Sequence, residues 1–149
     1  MQNLKELYQE VILDHNKNPR NFGKLEHANC EARGHNPLCG DMLRLFLKID
    51  NEIIVDVSFE GKGCAISQAS ASLMTEVLKG LSISQAHDIF NKVHMLLTDD
   101  NFDMNSLPSL KLQVLSGVRA YPARVKCASL AWHTLVSALK NQQDVAKTE

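Results

Sequence analysis

The chain has 149 residues, 44% hydrophobic and 22% charged, enough for one sizeable core and typical of a single globular domain. Sixteen Lys and Arg stand against 17 Asp and Glu, a formal charge of -1, which excludes the basic footprint of a nucleic-acid binder and a polybasic membrane patch. Aromatic residues, at 5%, supply no base-stacking surface, no apolar run reaches bilayer length, and Met1-Gln2-Asn3-Leu4-Lys5-Glu6 lacks a signal-peptide pattern. A cytoplasmic location is therefore expected, where Cys30, Cys39, Cys64 and Cys127 serve as thiols or metal ligands rather than disulfides.

Leu4, Leu7, Tyr8, Val11, Ile12 and His15 recur at helical spacing, and Asn18-Pro19 ends the pattern, so the periodicity predicts a helix over 4–16. The stretch 20–35 is polar and irregular, with a short edge strand at 31–33. Asn36-Pro37-Leu38-Cys39-Gly40-Asp41 reads as a tight turn. Leu43, Leu45, Leu47 and Ile49, then Ile53, Val55, Val57 and Phe59, alternate with polar neighbours on either side of Asp50-Asn51-Glu52. Two period-2 runs joined by turn residues predict a β-hairpin with one apolar face. An antiparallel hairpin brings its two open ends together, which makes Cys39 and Asp41 neighbours of Cys64.

Gly61-Lys62-Gly63-Cys64 leads into a run of small residues, and Ile66, Ser70, Leu73, Val77 and Leu78 predict a helix closed by Gly80. A second helix is predicted over 83–97 behind Ser82 or Ser84 as N-cap, followed by an acidic loop over 98–109 and a short helix from Leu110 to Gly117. Tyr121-Pro122-Ala123-Arg124-Val125-Lys126-Cys127 opens a last helix whose buried stripe is Val125, Ala128, Trp132, Leu135, Val136 and Leu139, with Cys127 in its first turn and His133 on its polar flank. The tail 142–149 is expected to fray. The whole reads as one α+β two-layer domain, a small antiparallel sheet packed against four to five helices.

The chemistry concentrates where backbone-special residues meet thiols: Cys39 precedes Gly40, Cys64 follows Gly63, and Pro37 and Pro122 lie just before Cys39 and Cys127. Cys64 by itself is either a thiolate favoured by a helix N-terminus or a small buried hydrophobe. Three thiolates with the Asp41 carboxylate make the four donors of a tetrahedral zinc site, one that a single hard oxygen renders easier to open than four sulfurs would. With no Cys-x-x-Cys pair, the spacing leaves two readings open, such a cation site or three independent core cysteines. Lys62, Arg124 and Lys126 stand close in sequence to these donors and would offset their surplus negative charge. Cys30 reads as a half-buried bystander, His35, four residues before Cys39, as either a replacement ligand or, the commoner case, an exposed loop residue, and His15, His27, His87, His94 and His133 carry no assigned role.

In order, the segments 36–41, 61–72 and 122–127 resemble the three signatures of the NifU/IscU family of iron–sulfur cluster assembly proteins, and the similarity extends through Tyr8 to Asn21. Lys126 stands where IscU proper has a histidine, Tyr121-Pro122-Ala123-Arg124 is unlike its proline-rich docking stretch, and the acidic connection over 98–109 is longer. The chain is in these respects most similar to the SufU branch. The resemblance implies Zn²⁺ held by Cys39, Asp41, Cys64 and Cys127, with Arg124 near the site. It further implies that Cys39 accepts sulfur from a pyridoxal-phosphate cysteine desulfurase, with downstream iron–sulfur assembly proteins or apo-proteins as further partners. The alternative role that it implies is a scaffold on which iron or a [2Fe–2S] cluster is held by the same ligands.

Overall fold

The computed structural model describes residues 4–107, 109–140 and 145–147. The first helix, α1 (Leu4–Lys17), turns Tyr8, Ile12 and His15 inward and stops at Asn18-Pro19, where proline lacks the N–H that a further turn needs. Three strands follow as an antiparallel meander: β1 (Cys30–Asn36), β2 (Asp41–Asp50) and β3 (Ile53–Lys62). Asn51 and Glu52, at φ 50° and 63°, form the two-residue connection between β2 and β3, both in the left-handed region that suits the twist of a hairpin. A short β4 (Val145–Lys147) lies parallel to β1, so the sheet order is β3-β2-β1-β4. Residues 142–144 and 148–149 of the tail expected to fray lie outside the described residues.

Helices α2 (Ala65–Leu78) and α5 (Val125–Leu139) pack against one face of the sheet, with α3 (Ile83–Thr98) and the five-residue α4 (Leu110–Val114) behind them. Short 3₁₀ turns at Met104–Ser106, Leu115–Ala120 and Pro122–Arg124 complete the described helical layer. Of the two N-cap candidates it is Ser82 that caps α3, in a reciprocal capping box with Gln85. The architecture is the anticipated α+β domain, with five α-helices among the described residues.

Two strand features depart from expectation for identifiable reasons. The segment expected as a short edge strand at 31–33 is seven residues long and lies between β2 and β4. Its inner face is Ala32, Gly34 and Asn36, small or polar residues that hide the alternation; a Cβ on Gly34 would overlap Thr134 of α5, so close helix packing selects glycine there. In β3 the register shifts, since Lys48 pairs with Asp56 but Ile49 pairs with Ile54, leaving Val55 as a bulge residue. The inward set therefore changes phase: Ile54 is fully buried, whereas Ile53 and Val55, expected on the apolar face, are exposed.

One consequence of the pleat governs the site. Leu43, Leu45 and Leu47 face the helices, and period-2 alternation carries that face back to Asp41 and, through its cross-strand partner, to Asn36. Both polar side chains are fully buried at the end of the sheet where α2 and α5 begin.

Candidate metal centre

Three local structures meet at that end of the sheet. The β1–β2 turn presents Cys39 to solvent, with Gly40 at φ +71° making the reversal. Cys64 is the N-cap of α2, and its sulfur accepts the Ser67 N–H at 3.4 Å. Cys127 is the third residue of α5 and fully buried. The Cys39 and Cys127 sulfurs are 3.3 Å apart, and one donor atom each from Cys39, Asp41 and Cys127 falls within a 4.8 Å sphere of mutual distance. Cys64 lies outside that sphere, beside Asp41: its N–H donates to Asp41 Oδ1 at 2.8 Å, and its Sγ lies 4.0 Å from Asp41 Oδ2. Of the four residues singled out in the sequence, the structure gathers Cys39, Asp41 and Cys127 into one group and sets Cys64 next to Asp41.

Arg124 lies at the open side, its guanidinium 3.8 Å from Cys39 Sγ. Its pKa is raised, first by a hydrogen bond with Cys127 and then by the charge that Cys64, Cys127 and Cys39 offer as thiolates. Burial pushes the Cys127 thiol well above the usual range, reinforced by hydrogen bonds with Cys39 and Asp41. Two sulfurs and a carboxylate this close, with a third sulfur beside the carboxylate, do not all ionise unless a cation shares the space. The donor set suits such an ion: Asp41 Oδ1 is occupied by the Cys64 N–H, which leaves Oδ2 directed toward the sulfurs.

Some residues prove different from their sequence reading. Asn36 was legible only as a turn residue, yet its Nδ2 lies 3.5 Å from Asp41 Oδ2 and 3.6 Å from Cys127 Sγ. The signal that finds it is the two-residue alternation that it shares, through Asp41, with Leu43. His35 belongs to β1 rather than a loop, and its side chain is half-buried. His133, expected on a polar flank, packs edge-on against Phe90 and His94, and burial lowers its pKa. His15 is fully buried, with Nδ1 hydrogen-bonded to Ser72 Oγ at 2.7 Å. Cys30 is half-buried against the core, and Lys126 lies in the first turn of α5 with a half-buried side chain next to Cys127.

Fold and site together define a class, a two-layer α+β domain with a thiol and carboxylate centre where two helices start at the end of a sheet. Residues 7–148 match the NifU-like N terminal domain, and the chain belongs to that family. It is 42% identical over 147 residues to the zinc-dependent sulfurtransferase SufU of Bacillus subtilis (strain 168), covering 99% of this chain and 95% of that protein. It is also 41% identical over 136 residues to the iron–sulfur cluster assembly scaffold protein IscU of Thermotoga maritima, covering 91% and 94% respectively. A crystal structure of a SUF-system scaffold protein from Fervidobacterium islandicum AW-1 superposes with a TM-score of 0.82 at 39% identity, over 90% of this chain and 97% of that one. A NifU-like protein from Brucella abortus, at 23% identity and a TM-score of 0.79, shares the fold.

Proposed function

We propose that this protein serves iron–sulfur cluster assembly as a zinc-bound acceptor of sulfur, taking it from the persulfide of a cysteine desulfurase through Cys39. The observation that carries the reading is an asymmetry of burial. Asp41 and Cys127 are fully buried and Cys64 is half-buried, whereas Cys39 is exposed on the turn between β1 and β2. Similarity to a protein named as a zinc-dependent sulfurtransferase supports the choice of ion and activity.

When bound, zinc would keep its thiolate donors deprotonated at neutral pH and hold them in one place. Cys39, Asp41, Cys64 and Cys127 would provide its four donors. The chain itself does the rest. Arg124, 3.8 Å from the Cys39 sulfur, stabilises that sulfur as an anion. The Cys39 thiolate attacks the terminal sulfur of the donor persulfide, a new S–S bond forms as the donor's breaks, and the donor cysteine leaves as its own thiolate. The sulfur of Cys127, fully buried, is kept from competing reaction. A reducing cytoplasm is the compartment that keeps such thiols reduced.

The test mixes the metal-loaded protein with a pyridoxal-phosphate cysteine desulfurase and free cysteine under anaerobic conditions. The parent is expected to stimulate sulfide release severalfold, and Cys39→Ala to leave the basal rate. Equal stimulation by both would end the acceptor reading. Similarity at 41% identity to a protein named as a cluster scaffold favours a second reading, in which the same donors hold a [2Fe–2S] cluster for transfer to apo-proteins. Anaerobic reconstitution separates them, because only the scaffold forms a stable visible-absorbing cluster that an apo-acceptor can take up.

A further inference from the structure

We infer that Asn36 is a positioning residue of this centre, its side-chain amide fixing Asp41 and Cys127 as the retained pair and leaving Cys39 as the thiol that departs to react. The inference rests on the sulfur-acceptor reading above and adds a residue to it. Asn36 is the last residue of β1, fully buried, and sits directly across the ladder from Asp41. Its Oδ1 accepts the Leu38 N–H at 3.2 Å, the bond of an Asx turn. That bond sets the orientation of the amide. With the oxygen turned toward the chain reversal, Nδ2 faces the other way, toward Asp41 Oδ2 at 3.5 Å and Cys127 Sγ at 3.6 Å. A primary amide carries two N–H donors, one for each acceptor.

Once a cation has made Cys127 a thiolate, donors aimed at that sulfur and at the Asp41 oxygen would delocalise their charge and hold their positions, and such charge-assisted bonds exceed neutral ones in strength. Cys39 is treated differently by its surroundings. It is three residues further on, exposed, and its polar neighbours are the Arg124 guanidinium at 3.8 Å and the Cys127 thiol at 3.3 Å. Arg124 is itself exposed and lies on another element, so a docking partner can draw it away. Asn36 is locked in the sheet and stays. The division between a leaving thiol and retained donors is thereby built into the strand end, independently of which partner arrives.

Two variants test the assignment. Asn36→Leu removes both the donor and the turn acceptor; Asn36→Ser keeps an oxygen for the Leu38 N–H but has no amide to reach Cys127. Zinc affinity is measured by chelator competition, and the cobalt-substituted proteins are examined by absorption spectroscopy. Both variants are expected to bind zinc 10–100-fold more weakly, on the order usual for groups that support metal ligands. Both should also move the sulfur-to-cobalt charge-transfer band to longer wavelength, because a thiolate deprived of an N–H donor is more electron-rich. If Asn36→Leu fails to fold, Asn36→Ser decides. Parental affinity and band position in Asn36→Ser would reduce Asn36 to a turn residue and overturn the inference alone. A parent protein without any cobalt–thiolate band would overturn the metal centre and the inference together.

Discussion

Gly63 explains why the site needs a glycine before Cys64. At φ +149° the position is one that side chains rarely adopt, and a Cβ there would overlap Asp41 Oδ1 and come within 2.9 Å of Asp41 Cα. The Asp41 carboxylate occupies the space that a side chain would fill, which is how Oδ1 reaches the Cys64 N–H. Gly40, at φ +71°, has nothing within 4 Å of its hypothetical Cβ. The two glycines therefore make a controlled pair. Gly40→Ala should cost only backbone strain, about 1 kcal/mol, whereas Gly63→Ala should add displacement of Asp41 and reach about 2–4 kcal/mol. Urea melts read the stability difference, and chelator competition should show zinc affinity falling far more in Gly63→Ala. Equal affinity in the two would mean that the close approach does not shape the donor set. In the sequence Gly63 marked a special backbone next to a thiol, but its reason is a carboxylate 22 positions earlier, visible only once the hairpin is closed.

At the level of elements, the relation between α2 and α5 matters most, because each carries a cysteine of the centre at its start. Ser70 in the middle of α2 joins them: its Oγ donates to Ala128 O at 2.6 Å and accepts from Trp132 Nε1 at 3.1 Å. All three residues are buried. Ser70→Ala is expected to strand the Trp132 N–H in the core and lower unfolding free energy by about 1–3 kcal/mol, with an unchanged denaturant slope. A midpoint within error of the parent would show that the clamp holds nothing. Ser70 and Trp132 were both legible as buried positions from helical spacing, yet the spacing of one element says nothing about bonds to another. The same limit accounts for β3. Alternation located the strand, but the Val55 bulge depends on pairing with β2, so Ile54 rather than Ile53 or Val55 faces the core. In β1 the apolar signal is missing at Gly34 because Thr134 of α5 stands where a side chain would go, and at Asn36 because its amide is bonded to the Leu38 N–H and faces Asp41 and Cys127. Helix starts were clearer, since Ser82 and Gln85 form their capping box within four residues of chain.

Across the whole molecule, the site was legible to the extent that hairpin closure is a local rule; the joining of Cys127 to it needed the packing of α5 on the sheet, which no spacing encodes. A second polar group depends on the same global packing. His15 near the end of α1 is fully buried, bonded to Ser72 of α2, with Lys111 of α4 at 3.2 Å and Glu76 of α2 at 3.4 Å. Burial lowers its pKa from the ordinary 6.5, the charges of Arg20 and Lys111 lower it further, and Glu76 and Asp14 oppose them more weakly. His133, lowered by burial and by His94, acts in the same direction. A base whose folded pKa is depressed binds its proton more readily in the unfolded chain. Stability is therefore fully present above pH 6.5 and is lost as pH falls from there toward the folded-state value. The measurement is thermal unfolding of chelator-treated protein between pH 7.5 and 5.5, since chelation removes the separate pH dependence of metal binding. Tm should fall steadily below pH 6.5 in the parent and less steeply in His15→Gln, whatever the variant's starting Tm. Parallel slopes would assign the acid sensitivity to other groups, with His133→Gln the next to examine, and would leave the His15–Ser72 bond as a packing contact between α1 and α2 without a role in pH response.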